Sequence, residues 1–165
     1  MNDIRAIETD RLLLHPLSAD EAQRVVDAAP APGDRWAAGY PEDGDARSAR
    51  GFLNGLAERG DPGAYRPYQI RLLEDGSVVG GGGFHGPPDA AGVVTVGYGL
   101  IPAARGHGYA SEALRALITR AREAGATAVR GDADLDNTAS HHVMEAAGMA
   151  FEGADEQVRN YRLLL

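Results

Sequence analysis

The chain has 165 residues, 44% of them apolar, which suffices for one domain with its own core and leaves little for a second. It contains no cysteine, which excludes disulfides, thiolate metal sites and covalent catalysis through a cysteine thioester. A formal net charge of −8 opposes binding to a nucleic-acid backbone, and no apolar run approaches the length of a membrane span.

The opening MNDIRAIETD lacks the basic and apolar regions of a signal peptide, so residues 1–165 are expected to form a single soluble domain in the cytoplasm. Nucleic acid and membrane are not expected partners. Ile7, Leu12, Leu14 and Leu17 read as an opening strand, and Ser18 to Glu21 supplies a capping box before a helix carrying Ala22, Val25 and Val26. AAPAPGDRWAAGYPEDGD then reads as a long loop holding Trp36 and Tyr40. Asp45 can cap a second helix whose apolar face includes Ala49, Phe52, Leu53 and Leu56, and which Gly60 and Pro62 end.

Tyr68 to Leu73 and Val78 to Phe84 read as strands joined by a tight turn at Asp75-Gly76. Glycines at 80 to 83 weaken the second of these and mark either a bulge or a close approach of something to the backbone. Val93 to Ile101 is a fourth strand, stopped by Pro102. ARGHGYASEAL opens a third helix with Ala113, Leu114, Leu117 and Ile118 on one face and Gly125 as its stop. Thr127 to Ala133 is a fifth strand, Asn137 or Thr138 caps a fourth helix ending at Gly148, and the remainder forms one or two closing strands.

A strand that stops at proline, turns through Gly106 and Gly108 and opens a helix collects unpaired N–H groups at the positive end of the helix dipole. Such a turn is suited to an anion, with Arg105 able to add a charge-assisted bond. An empty glycine turn is the bland alternative. A P-loop would need Gly-Lys followed by Ser or Thr, which does not occur. The dinucleotide fingerprint finds Gly106 and Gly108 but has Ser111 at its third glycine, and it falls late in the chain.

The third pattern, R-x-x-G-x-A, is filled by Arg105, Gly108 and Ala110. With it the sequence resembles the GNAT N-acetyltransferases, in particular the RimJ/RimL-like branch that acetylates the N-termini of ribosomal proteins. ETDRLLLHPL, VGYGLIP, GYASEAL, DNTASHHVMEAAGM and the later EG match that branch in order and spacing, whereas residues 30 to 80 match loosely. The resemblance implies an α/β fold with a mixed central sheet of six or seven strands, about four helices and a splay after strand four.

It also implies that acetyl-coenzyme A is the cosubstrate, its diphosphate held by backbone amides of Arg105, Gly106, His107, Gly108, Tyr109 and Ala110. The pantetheine arm would lie beside Tyr98, Gly99, Leu100 and Ile101, with free backbone groups at 99 to 101 polarising the thioester. Asn137 and Ser140 fill the branch's N-x-x-S, so Asn137 would contact pantetheine and Ser140 would donate to the leaving thiolate. Asn137 as a plain helix cap and Ser140 as a first-turn residue is the competing reading. Met149 stands where an aromatic residue is usual.

The departure is Thr95, in VVTVGYGL, where many members carry a glutamate base. A threonine hydroxyl cannot take an ammonium proton at neutral pH. At pH 7.5 a lysine-like amine is only about 0.1% neutral and an α-amine about a third, a difference of about 3.5 kcal/mol, so an α-amino or small-molecule amine is favoured. By residue type His85 is the best replacement base, against the alternative of a loop histidine before two prolines. Trp36 and Tyr40 could wall the acceptor pocket beside Thr95, or belong to the core. His141 and His142 are adjacent and do not share a helix face, so no metal is expected.

The expected activity is acetyl transfer from acetyl-coenzyme A to a primary amine by direct attack. The alternative is a GNAT fold that has lost catalysis with the glutamate and senses acyl-coenzyme A. Monomer and homodimer both remain open.

Overall fold

A computed structural model describes residues 4–165. Eight strands form one mixed sheet in the order β1-β2-β3-β4-β5-β6-β8-β7, with β1 at Ile7–Glu8, β2 at Leu12–Pro16, β3 at Pro67–Leu72, β4 at Val78–Phe84, β5 at Val93–Leu100, β6 at Ala128–Asp134, β7 at Ala150–Ala154 and β8 at Val158–Leu164. Four α-helices accompany it: α1 at Ala19–Asp27, α2 at Asp43–Arg59, α3 at Tyr109–Glu123 and α4 at Thr138–Ala146. The count of eight exceeds the expected six or seven for a local reason. The opening segment breaks at a turn, where Thr9 N–H donates to the Leu12 carbonyl, and becomes a hairpin of β1 and β2. No helix among the described residues is long and apolar enough to cross a membrane.

The caps act where the residue types place them. Ser18 and Glu21 close both halves of a capping box on α1, and Gly125, at φ +98°, follows the end of α3. Asp45 is a correction: α2 begins three residues earlier than a cap at Asp45 would allow. Glu42 is its N-cap, and the Asp45 carboxylate reaches back to accept from Glu42 N–H at 2.9 Å. The β3–β4 connection is also longer than a two-residue turn. Leu72 N–H donates to Ser77 and Gly76 N–H returns to Leu72, leaving residues 73–77 as the loop.

The glycine run is a strand with both of the features it was expected to mark. Ile70 pairs with Gly80 but Arg71 with Val78, so Val79 is the extra residue of a bulge. A side chain at Gly80 would collide with the Gly99 carbonyl oxygen. Successive residues point to opposite faces, and here that parity locates the helices. A Cβ at Gly82 would meet Leu117 of α3, and one at Gly81 would collide with the Asp45 carboxylate of α2. α3 and α2 therefore cover opposite faces of the sheet. Leu114 and Leu117 of α3 and Leu12, Leu14, Ile70 and Val78 of the sheet are fully buried in the resulting core.

Candidate active site

The site starts from a failure of strand pairing. β5 and β6 run parallel only from Val93–Ala128 to Thr95–Arg130. Beyond that, β5 stays with β4 as far as Leu100, and β6 stays with β8 as far as Asp134. The two central strands thus splay after the strand expected to be the fourth. The Tyr98 side chain spans the gap, its hydroxyl donating to the Ser140 carbonyl of α4 at 3.4 Å.

Register decides which backbone groups the splay leaves free. His85 N–H donates to Thr95 at 3.0 Å and Ile101 N–H to Val79 at 2.9 Å, so the odd-numbered residues of this stretch face β4. Those of Tyr98 and Leu100 face the gap. The expectation of free groups at 99 to 101 is corrected accordingly: Gly99 and Ile101 are committed to β4. The Leu100 carbonyl is also taken, accepting from Arg105 Nε at 3.0 Å.

A 3-10 turn at Pro102–Ala104 follows β5, and the chain then swings through Gly106 and Gly108 at φ +82° and +81° into α3. Only glycine adopts this backbone cheaply. No side chain caps the helix, and its first internal donor is Glu112 N–H, to Gly108 at 3.2 Å. The N–H groups of Tyr109, Ala110 and Ser111 are therefore free at the positive pole of a 15-residue helix. A Cβ at Gly106 would meet nothing within 4 Å, so the approach is open.

Arg11 holds this loop, a role the sequence reading did not assign. Its Nη1 donates to the His107 carbonyl at 2.7 Å, its Nε to Glu112 at 2.8 Å, and its guanidinium lies 4.6 Å from the centroid of the Tyr109 ring. Burial would raise the Glu112 carboxyl, but bonds from Thr9 and Arg11 outweigh it and hold the group below the usual range. His107 stacks on Tyr109 and places Nδ1 3.3 Å from the Ala104 carbonyl. Arg105 turns back toward β5, with Nη2 3.5 Å from Glu42, rather than reaching over the loop.

On the other side of the splay lies a cavity of about 400 Å³ whose wall includes Tyr40, Asp45, His85, Tyr98, Asn137 and Ser140. Asn137 is the N-cap of α4, accepting from Ser140 N–H at 3.2 Å, so the cap reading is realised and both residues also face the cavity. His85 is exposed at the end of β4, where a Cβ on Gly97 would come within 2.9 Å of its Nε2. Tyr40 is buried, its hydroxyl accepting from Gln69 at 3.3 Å, and burial pushes its phenol up.

Trp36 and Thr95 stand apart from this wall. Trp36 bridges to Val78 and packs edge-on behind Tyr40, with ring centroids 5.3 Å apart. Thr95 lies where β6 still pairs with β5, before the splay opens. His141 is buried, with Nε2 2.9 Å from the Asp134 carbonyl.

Asp45 is the group that sequence reasoning placed but did not recognise. Its Oδ2 accepts from Glu42 N–H, while Oδ1 lies over Gly81 where a side chain would otherwise sit. It forms no ion pair among the described residues. Burial raises its carboxyl to about 6, the Glu42 N–H opposing this and the Glu42 carboxylate adding to it. The only sequence signal was an acid three residues into a helix, beside four glycines on a strand.

Residues 11–150 match the model of the family described as acetyltransferase (GNAT) domain. No curated protein matches. Among solved structures, an acetyltransferase from Agrobacterium tumefaciens is 24% identical, with 99% of this chain and 96% of that one covered at a TM-score of 0.70. The ribosomal-protein α-N-acetyltransferase RimL, solved with coenzyme A, is 18% identical at a TM-score of 0.70, with 98% of each chain covered. RimJ from Mycobacterium smegmatis, solved with a coenzyme A disulfide, is 19% identical at 0.66, covering 93% of this chain and 81% of that one. At these identities the structures share the fold with this chain.

Proposed function

The chain belongs to the GNAT acetyltransferases, and from that premise we propose that it acts as a single RimJ/RimL-like domain transferring acetyl from acetyl-coenzyme A to a primary amine by direct attack. The observation that carries the reading is one alignment. The free N–H groups opening α3, the N–H groups of Tyr98 and Leu100 on the open edge of β5, and the cavity with Asp45 follow one another through the splay. These residues fit coenzyme A. The α3 turn would take the diphosphate through Gly106 to Ala110, Leu100 and Ile101 would flank the arm, and Asn137 and Ser140 would stand near its thiol end.

Acetyl-coenzyme A supplies an activated acyl carbon. Around it, N–H groups on the open edge of β5 stabilise the charge developing on the thioester oxygen. The amine nitrogen forms its bond to the acyl carbon as the carbon–sulfur bond breaks. Before that attack Asp45 takes one proton from the ammonium, which has no lone pair of its own, and passes it to solvent; the second N–H proton leaves as the amide forms and ends on the departing sulfur, to which Ser140 donates a hydrogen bond. His85, at the mouth of the same cavity, is the second proton acceptor within reach of the acceptor site.

The level of Asp45 bears on the acceptor. Moving a proton from an α-ammonium near 7.7 to a carboxylate near 6 costs about 2 kcal/mol, whereas from a lysine-like ammonium near 10.4 it costs about 6 kcal/mol. An α-amine is the matched substrate. Thr95 in place of glutamate was the ground for a non-catalytic acyl-coenzyme A sensor, and a carboxylate facing the cavity from α2 supports the catalytic reading instead.

Thermal unfolding with acetyl-coenzyme A, with NADP as control, tests the cosubstrate. A ligand at one hundred times its dissociation constant stabilises by about 2.7 kcal/mol, several degrees for a domain of this size. Thiol release with a panel of amines tests the transfer. Stabilisation without release from any amine would leave the sensor.

A further inference from the structure

A second and larger cavity, of about 700 Å³, adjoins the first between α2 and the segment after β4. The two share Gly44, Arg47, Ser48, Pro67 and His85, so the larger continues the smaller. Its wall is mainly apolar, built by Phe52, Pro62, Tyr65, Phe84, Pro87 and Pro88. α2 contributes Gly44, Ser48, Gly51 and Gly55, spaced so that they share one helix face. A Cβ at Gly44 or Gly51 would meet nothing within 4 Å. Glycine is thus not demanded there by any neighbour, and the missing side chains leave volume in the chamber.

The seam between the cavities is charged. Arg47 lines both, is exposed, and forms no ion pair among the described residues. Asp45 lies two residues away on the amine side. An acceptor spanning this seam therefore has a carboxylate in the first cavity, a guanidinium shared by both, and beyond it a chamber that is mainly apolar, with Arg59 and Asp61 also in its lining.

We infer that the acceptor is a free α-amino acid with a large apolar or aromatic side chain, its amine at Asp45 and His85, its carboxylate on Arg47 and its side chain in the chamber. The inference rests on the acetyl-transfer reading above and specifies its substrate class. Nitrogen gains the acetyl carbon, coenzyme A leaves as the thiol, and the products are an N-acetyl amino acid and free coenzyme. A polyamine would meet repulsion at Arg47, and a peptide would put a neutral amide where the guanidinium wants an anion.

The test compares thiol release with phenylalanine, leucine, alanine, phenylalanine amide and a tripeptide beginning with phenylalanine. Phenylalanine should exceed alanine in kcat/KM by about tenfold or more, and exceed its own amide by a similar factor. Arg47→Ala should abolish the preference for acid over amide. Gly51→Leu, which improves helix propensity and whose Cβ would meet nothing within 4 Å, should lower the phenylalanine-to-alanine ratio about tenfold. Better turnover of alanine, the amide or the tripeptide would overturn the inference while leaving acetyl transfer intact. If no amine releases thiol, the transfer reading falls. Saturable stabilisation of the protein by phenylalanine, lost in Gly51→Leu, would then still support the chamber, and no stabilisation would overturn it.

Discussion

Replacing Asp45 by asparagine separates what this residue does for stability from what it does for chemistry. The carboxyl sits at about 6 because burial penalises its charge, against the 3.8 of an open chain. Ionised above that level, it costs the folded protein about 3 kcal/mol. The sign follows from the direction: the folded state binds this proton more tightly, so stability is lost as pH rises from about 4 through 6. Asparagine carries no charge and can still accept from Glu42 N–H. Asp45→Asn should therefore raise Tm at pH 7.5, by up to about 6 to 12 °C for a domain of this size, and the gain should vanish below about pH 4. Activity should move the other way. A general base contributes about 10²- to 10⁴-fold, and an α-amine already a third neutral places the loss near the lower figure. In the wild type kcat/KM should fall below about pH 6, and in the variant that limb should give way to one near 7.7, where the amine itself protonates. An unchanged acid limb would refute Asp45 as the proton acceptor, and a lowered Tm would refute the desolvation argument itself.

Three further substitutions address the frame around it. Arg11→Ala removes the tie between β2, the His107 carbonyl and Glu112, so KM for acetyl-coenzyme A should rise about three- to tenfold in steady-state kinetics while kcat holds. Gly80→Ala drives a Cβ into the Gly99 carbonyl and should destabilise by about 1 to 3 kcal/mol in denaturant unfolding. Asn137→Ala loses the α4 cap and about 1 kcal/mol, whereas Asn137→Asp keeps a cap oxygen. Recovery of stability but not of kcat/KM in the aspartate variant would mark the amide N–H as a ligand for the cosubstrate, and recovery of both would reduce Asn137 to a cap.

The periodic and capped elements were legible because their signals are local. Ser18 with Glu21, the apolar stripe of α3 and the glycines at 106 and 108 each act within one turn of chain, and each appears where its residue types place it. Register is not local. That Gly99 and Ile101 turn toward β4 is set by the register of β5 on β4, and that Tyr98 and Leu100 face an open gap by where β6 stops pairing, neither of which any residue of β5 records. Arg11 was invisible for a similar reason: it is an unremarkable charge before a strand until α3 brings Glu112 beside it. Trp36 illustrates the converse, since an aromatic side chain in a polar loop reads equally as pocket wall or as packing, and its bridge to Val78 makes it packing.

Under the proposed transfer, two oddities of the sequence are linked. Thr95 stands where a glutamate is usual, and four consecutive glycines occupy a central strand that ought to be weakened by them. On the face of β4 toward α2, the absence of a Cβ at Gly81 is what admits the Asp45 carboxylate, and any larger residue there would displace it. The strand gives up side-chain packing at one position so that a charge from a helix can lie against its backbone. Gly81 pairs with Gly99, so Thr95, two and four residues from Gly97 and Gly99, projects to the face that α2 covers, and a carboxylate on α2 lies on the face a glutamate at 95 would have used, where the apolar chamber also opens. A proton acceptor on α2 in place of one on β5 therefore keeps the amine on the same face of the sheet. Gly81→Ala then becomes the sharpest probe of the arrangement: it should lower kcat/KM about as far as Asp45→Asn does, while leaving the thermal shift produced by acetyl-coenzyme A unchanged.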